Sequence, residues 1–168
     1  MNPTNDFFGD DNYKIPETSK YMKFKEGENN FRVLSSAITG YEYFNSSNKP
    51  VRSRTPFDET PDIKEGGQVK HFWAFVVWNY DAGIIQILEL TQTGIMKYIQ
   101  SLIKNPKWGS PKGYDLTVNR TGAGLNTEYT TVSSPHSALP AEIMNSFSKD
   151  KINLNALFEN GDPFTTQS

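Results

Sequence analysis

Cysteine is absent from the 168 residues of this sequence, and its absence excludes several kinds of chemistry. Without cysteine the chain has no disulfides, no zinc site built on thiolates and no cysteine nucleophile. Histidine is scarce as well, with His71 and His136 only, and the HExxH, P-loop and GxSxG patterns are all missing. No paired-carboxylate motif is present either. We therefore predict a protein that is not an enzyme and that carries no metal or other cofactor.

Long apolar runs are also missing, because no stretch of the chain reaches the roughly 18 apolar residues that a membrane-spanning helix requires. The first residues, MNPTNDFFGDDNYK, lack the basic and then apolar regions of a secretory signal. We therefore expect neither a membrane span nor a signal peptide.

Charge of one sign is not in large excess, because the formal net charge is −2, but it is unevenly distributed. Residues 20–54 hold seven Lys and Arg residues against three acidic ones, and residues 97–120 hold five against one. Acidic blocks flank and separate these two basic blocks. Two basic blocks can form one basic face on a nearly neutral protein, although solvated lysines are the ordinary alternative.

Aromatic residues, in contrast, are concentrated in the segment KHFWAFVVWNY at residues 70–80. The segment predicts a strand, in which alternate side chains point to opposite faces. Trp73, Phe75 and Val77 are expected in the core, and Phe72, Trp78 and Tyr80 then lie on the other face. Because both faces are apolar, something must cover the second one. The candidates are another protein layer, a partner chain, or a flat ligand such as a nucleic-acid base.

The order of predicted elements indicates the fold class. Strands are predicted at residues 21–25, 30–44, 70–80, 84–90, 114–120 and 128–132, with a helix at 91–104 and one or two short helices within 140–158. GENN at 27–30 predicts a turn, and 45–68 a long loop. Gly40 marks a bend in the long strand at 30–44.

Leaving aside the short strand at 21–25, this β-β-β-α-β-β order predicts an all-β protein with a few helices, built as a five-stranded OB-fold barrel with flexible termini. An open α+β sheet with a helix on one face is the competing architecture. We divide the chain into a mobile acidic arm at 1–19, an OB-fold domain at 20–135, and a C-terminal helical extension and tail at 136–168.

An OB fold binds its ligand across the second and third strands, between the loop joining strands 1 and 2 and the loop joining strands 4 and 5. Here those parts hold aromatic residues together with Lys and Arg, the combination that single-stranded nucleic acid requires. The predicted nucleic-acid-binding residues are Tyr41, Tyr43, Lys49, Arg52, Arg54, Lys70, Phe72, Trp78, Tyr80, Lys112 and Arg120. For any single aromatic among them, core packing is the alternative role.

Four patterns within residues 20–135 carry a resemblance: YMKFKEGENNFRVLSS, KPVRSR, KHFWAFVVWNY followed by IQILELTQTGIMKYIQSLI, and the spacing at 114–132. They resemble the phage-encoded single-stranded DNA-binding proteins of the T-even type and their relatives. The resemblance implies an OB fold, cooperative coating of single strands, replication partners such as a polymerase or helicase, and a location in the cytoplasm of the bacterial host.

Three features depart from that family. The T-even-type proteins hold a structural zinc partly through cysteines, so we predict no zinc here. Their strongly acidic tail has no counterpart in the ending FENGDPFTTQS, so the tail is either minimal or lies beyond this sequence. The basic N-terminal arm of some relatives is replaced by an acidic one.

The expected function is sequence-nonspecific single-stranded DNA binding in phage replication or recombination, through base stacking and phosphate contacts. The alternative is a structural or protein-interaction β-barrel, such as a phage assembly or replication accessory factor, whose aromatic face docks a partner chain without binding DNA. A third alternative is an oligosaccharide-binding barrel. The sequence leaves open the choice of DNA over RNA, the binding-site size and the oligomeric state.

Overall fold

The computed structural model describes residues 19–59 and 62–164. Apart from Ser19, the predicted mobile arm lies outside these residues. The strands are β1 Tyr21–Met22, β2 Gly27–Val33, β3 Ile38–Phe44, β4 Pro50–Ser53, β5 Lys70–Asn79, β6 Ile84–Leu90, β7 Tyr114–Thr121 and β8 Glu128–His136, and the α-helices are α1 Thr93–Lys104 and α2 Ala141–Lys149. Short 3₁₀ turns lie at Pro111–Gly113, Gly124–Asn126 and Leu154–Glu159.

These strands form one mixed sheet in the order β1-β6-β5-β2-β7-β8, with β3 pairing β5 and β4 pairing β3. The β1–β6 ladder is parallel and the other ladders are antiparallel. Among the described residues no ladder joins β8 back to β6 or β1, so the sheet is open. The expectation of a mostly β protein with a few helices is confirmed. The expected five-stranded OB-fold barrel is not confirmed, because the sheet has eight strands and ends in three unjoined edge strands among the described residues, β1, β4 and β8.

The strand expected at residues 30–44 is interrupted and forms both β2 and β3. The break at residues 34–37 is fixed on β5, where the Leu34 amide donates to the Val76 carbonyl at 2.8 Å and the Ser35 hydroxyl accepts from the Val76 amide at 2.9 Å. Before the break β2 pairs with the second half of β5, and after it β3 pairs with the first half. One side of the long central strand is therefore shared by two consecutive strands.

Two further expectations at this end of the chain are corrected. The predicted turn GENN lies inside β2, because residues 27–30 pair with residues 117–120 of β7. The buried Asn29 side chain donates to the Lys25, Gly27 and Val118 carbonyls. The predicted long loop contains β4, which extends the sheet beyond β3.

The central strand β5 lies between two apolar cores. On one face Phe75 and Val77 pack with helix α1 and with β2, β6 and β7. On the other face Phe72, Ala74 and Val76 are buried beneath the C-terminal extension. Phe72 and Ala74 are 0% exposed there. The layer that covers the second aromatic face is thus a later segment of the same chain.

The C-terminal extension covers the sheet with two short elements. Ile143 and Phe147 of α2 pack near Trp78, Val76 and Ile85. Beyond α2, a covering segment at residues 150–164 places Leu157 on the same sheet face, 2% exposed.

Gly40 faces this covering segment at close range. A Cβ on Gly40 would collide with the backbone carbonyl oxygen of Ser53 in β4 and would lie 2.9 Å from the Phe158 ring, so no side chain fits at this position. Gly40 therefore permits the close approach of both β4 and the covering segment.

No helix among the described residues is both long enough and apolar enough to cross a membrane.

Candidate nucleic-acid interface

An open groove of about 1000 Å³ runs along the edge of the sheet, where β1 and β6 meet the turn between β3 and β4. We call this cavity the edge groove. Its charged lining residues are Lys23, Lys49, Arg52 and Glu89. Aromatic rings line it as well, namely Tyr21, Phe24, Phe44 and Tyr129. The edge groove thus combines three cations, one carboxylate and flat apolar surfaces.

The β3–β4 turn holds Lys49 on the rim of the edge groove. The Asn45 side chain accepts hydrogen bonds from the Ser47 and Lys49 amides, each at 3.0 Å, and Asn48 takes a left-handed conformation with φ 60°. Asparagine tolerates that conformation better than most residues. Within the described chain neither Lys49 nor Lys23 forms an ion pair, and both are exposed. Both ammonium groups are therefore available to an anionic ligand.

Neighbouring groups support the Phe24 and Tyr129 rings, which we call the aromatic wall of the edge groove. The Phe24 and Tyr129 rings lie 5.8 Å apart between centroids, and the Arg120 guanidinium donates to the Phe24 carbonyl at 3.0 Å. Nε of Arg120 is buried and has no hydrogen-bond partner among the described residues. On the opposite rim Phe44 is 45% exposed. These rings offer partly exposed faces, and Arg120 supports the backbone beneath one of them.

Arg52 lies at the base of the edge groove between two carboxylates. Its guanidinium contacts Glu42 and Glu89, each at 3.2 Å, and only 11% of its side chain is exposed. Burial, followed by the hydrogen bond to Glu89 and the charge of Glu89, raises the pKa of Glu42 to about 8, although Arg52 acts in the opposite direction. Burial opposes the charge of Arg52, yet its pKa is raised, because Glu89 and Glu42 stabilise the cation. Most of the Arg52 charge is therefore balanced inside the protein.

Three of the predicted binding residues instead lie beneath or against the C-terminal extension. Phe72 has no exposed surface on which a base could stack, and Trp78 packs partly buried near α2. The Arg54 guanidinium lies 4.3 Å from the centroid of the Phe158 ring and donates to the Asn155 side chain at 3.2 Å. In this structure the second face of β5 therefore contacts protein.

Two more predicted residues, Tyr80 and Lys112, belong to a hydrogen-bond network around a buried arginine. Arg32 is 1% exposed and contacts Asp115 at 2.7 Å, the Lys112 carbonyl at 3.1 Å and the Ser137 hydroxyl at 2.6 Å. The Tyr80 hydroxyl donates to Asp115 at 2.8 Å, and burial together with this bond raises the Tyr80 pKa to about 12. This network fastens β2 to β7 and leaves the Lys112 side chain exposed.

The remaining predicted residues lie on β3 and at the start of β5. They are Tyr41, Tyr43 and Lys70. Tyr41 packs on His71 with ring centroids 5.2 Å apart, and Tyr43 packs on Phe57 at 4.9 Å. Tyr43 and Lys70 line a second cavity of about 540 Å³.

Of the predicted residues, the structure brings Lys49 and Arg52 together in the edge groove and places Arg120 directly behind its aromatic wall. The others lie elsewhere: on β3 and at the start of β5, against the C-terminal extension, or in the hydrogen-bond network around Arg32. Sequence reasoning missed Lys23, Phe24, Phe44 and Tyr129 as site residues. Lys23 and Phe24 are neighbours in the chain, just after β1, but nothing local to the sequence places Tyr129 beside them.

Among the described residues no group of three or more His, Asp or Glu side chains is arranged to hold a metal ion.

A comparison with curated proteins shows that the chain is similar to the "Probable ssDNA-binding protein" of Escherichia phage T5. The two sequences are 27% identical over 139 residues, which cover 66% of this chain and 53% of the phage T5 protein. The chain thus spans about half the length of the curated relative that it matches. No family model matches the sequence. No solved structure matches it significantly.

Proposed function

We propose that this protein binds single-stranded DNA without sequence preference and that the edge groove is its binding surface. The observation that carries the proposal is the meeting of exposed lysines and partly exposed aromatic rings in one open groove. The name of the phage T5 relative supports the same ligand. The groove has neither a nucleophile–base pair nor a metal cluster among the described residues, and binding alone requires neither.

The chemistry of the edge groove suits an unpaired strand. Lys23 and Lys49 would neutralise phosphates and release counterions, so that affinity falls as salt rises. Phe24, Phe44 and Tyr129 would stack on bases, which contributes about 1–3 kcal/mol per base whatever its identity. Arg52 would act mainly by holding β3, β4 and β6 together, because two carboxylates already surround it.

We also propose that the sheet is an OB-type sheet left open between β8 and β1. The pairings of β5 with β2, β3 and β6, and of β7 with β2 and β8, follow the strand neighbours of that fold. The edge groove then occupies the open seam, between the β3–β4 turn and the start of β8. We further propose a role in phage replication or recombination inside the bacterial host, and the phage source of the relative supports that setting.

The alternative of a partner chain docking on the aromatic face finds little support in the geometry. That face of β5 is already covered by Ile143, Leu157 and their neighbours from the same chain. An oligosaccharide ligand would bind without strong salt dependence, so a salt titration separates it from DNA.

Lys49→Ala tests the proposed function directly. We expect weaker binding to oligo(dT), oligo(dC) and a mixed sequence by a similar factor, because a phosphate contact carries no sequence information. The slope of log affinity against log salt should shrink by about 0.7, the value for one phosphate contact on a single strand. Fluorescence anisotropy of labelled oligonucleotides measures both quantities.

The matched control is Lys104→Ala, which removes the same charge from the exposed end of helix α1. It should leave the slope nearly unchanged. Equal losses in the two variants would show that only net charge matters, and no binding by the unmodified protein at low salt would refute the proposal.

A further inference from the structure

We propose that a bound single strand of DNA does not end in the edge groove but continues past Phe44 into the second cavity, where Lys70 contacts a phosphate. One protein molecule would then hold one DNA strand along both cavities. The inference rests on the proposed function and deepens it, because it gives the path and the length of the same ligand.

The two cavities meet at Phe44, whose ring lines both of them and is 45% exposed. Neighbours in the chain are also divided between the cavities. Asn48 lines the second cavity, and Lys49, which follows it, lines the edge groove. Thr91 and Gln92 are divided in the same way. The cavities are therefore adjacent both at the β3–β4 turn and just after β6.

Hydrogen bonds hold one wall of the second cavity against the β3–β4 turn. The Lys64 amide donates to the Phe44 carbonyl at 2.7 Å, and the Lys64 ammonium donates to the Asn48 side chain at 3.0 Å. The Ser46 hydroxyl donates to the Asp62 carboxylate at 2.7 Å. These bonds fix the wall and place Lys64 in the lining of the second cavity.

The charges that line the second cavity leave a positive surplus. Lys64 and Lys70 are both exposed, and neither forms an ion pair within the part of the chain that the structure describes. The carboxylates of the lining are Glu42 and Glu65. Burial and the neighbouring Glu89 raise the pKa of Glu42 to about 8, so this group is largely uncharged at neutral pH. Two cations thus face one charged carboxylate, and the surplus suits a phosphate.

Phe44 provides the step between the cavities. A base stacked on its exposed ring would have a phosphate on each side, one toward Lys49 and the next toward Lys70. Stacking of this kind does not depend on the identity of the base. The path therefore needs no sequence preference, in agreement with the proposed function.

Binding of oligo(dT) of two lengths tests the path. Lengths of about 4 and about 12 nucleotides lie within the range of roughly 4–16 that one OB-type domain covers. With the longer oligonucleotide, Lys70→Ala should reduce the slope of log affinity against log salt by about 0.7, the value for one phosphate contact. With the shorter one the slope should not change, because the larger edge groove, with more rings, is occupied first. Lys49→Ala should reduce the slope at both lengths.

Two further variants make the comparison specific. Lys70→Arg keeps the charge at the second cavity and should retain the slope of the unmodified protein. Lys104→Ala removes an exposed charge from the end of α1 and should leave the slope nearly unchanged at both lengths. A loss for Lys70→Ala no larger than that for Lys104→Ala would overturn the proposal. Two of the longer strands bound per protein molecule would overturn it as well, because the cavities would then be separate sites.

The failure of the path and the failure of the proposed function are distinguishable. If Lys49→Ala reduces the slope as expected and Lys70→Ala does not, only the extension into the second cavity fails. If the unmodified protein binds neither oligonucleotide at low salt, the proposed function itself fails. Fluorescence anisotropy of labelled oligonucleotides provides the affinities, the slopes and the stoichiometry.

Discussion

At the scale of single residues, the role of each cation depends on its neighbours. Lys49 and Arg52 come from one short run of sequence, yet Lys49 is exposed on a turn and Arg52 is enclosed by two carboxylates. Arg54, two residues further, lies over the Phe158 ring. One basic run therefore supplies an exposed ammonium group, a structural ion pair and a cation–π contact.

Glu42→Gln should change how the stability of the protein depends on pH. The Glu42 pKa is about 8 in the folded protein, above its ordinary value of 4.5, because burial and Glu89 disfavour the charged carboxylate. Between these two values the folded state binds the proton and the unfolded state does not, so the free energy of unfolding falls as pH rises. The variant should lose this decline and, at pH 8, exceed the unmodified protein by on the order of 1–3 kcal/mol.

Urea unfolding at pH 5, 6.5 and 8 measures the effect. Glu28→Gln is the control, because Glu28 is exposed. Parallel curves for Glu42→Gln and the unmodified protein would show that Glu42 is charged throughout this range.

At the scale of elements, β5 explains why the C-terminal extension folds back. A strand with apolar side chains on both faces must be covered on both, and burial stabilises the fold by about 25 cal/mol per Å² of apolar surface removed from water. Helix α1 is one layer on the first face, and the C-terminal extension is the layer on the second. The predicted division at residue 136 therefore separates two segments that share an apolar core.

Leu157→Ala tests whether the covering segment contributes to stability. Leu157 is 2% exposed and packs on Phe72, Ala74 and Ile87, so its truncation should lower the free energy of unfolding by about 2–4 kcal/mol. Met144→Ala in helix α2 is the control, because Met144 is 47% exposed and should cost less than about 0.5 kcal/mol. Urea unfolding of both variants provides the comparison, and similar small losses would mean that the covering segment packs only loosely.

At the scale of the whole molecule, two cores share one strand. Trp73 lies on the side of α1 and Trp78 on the side of the C-terminal extension, and both belong to β5. Neither core can lose β5 without disturbing the other. The cores should therefore unfold together.

Cooperative unfolding can be checked with two probes. In a urea titration, tryptophan emission reports on packing around β5, and far-ultraviolet circular dichroism reports on the sheet and helices. We expect coincident transitions, as for a two-state domain. A tryptophan transition that precedes the loss of sheet signal would instead indicate that the C-terminal extension detaches first.

Local patterns predicted much of the element order. The apolar run at residues 84–90 follows a turn at 81–83, and the strand predicted there matches β6. The helical spacing after Thr91 predicts α1. The break between β2 and β3 was not predicted, because it depends on hydrogen bonds from Leu34 and Ser35 to a strand some forty residues away. The candidate site was predicted less well, since its aromatic wall joins Phe24 to Tyr129 across more than a hundred residues.

The sequence by itself determined that β5 needs a cover on each face, because its side chains alternate and are apolar on both sides. It also determined which cationic and aromatic residues are present, and it excluded chemistry that depends on cysteine. Only the tertiary structure decided which segment covers the second face, which cations are neutralised, and where exposed lysines meet aromatic rings. The physical reason is that alternation and composition act between neighbours in the chain, whereas burial and ion pairing depend on groups that the fold brings together from distant positions.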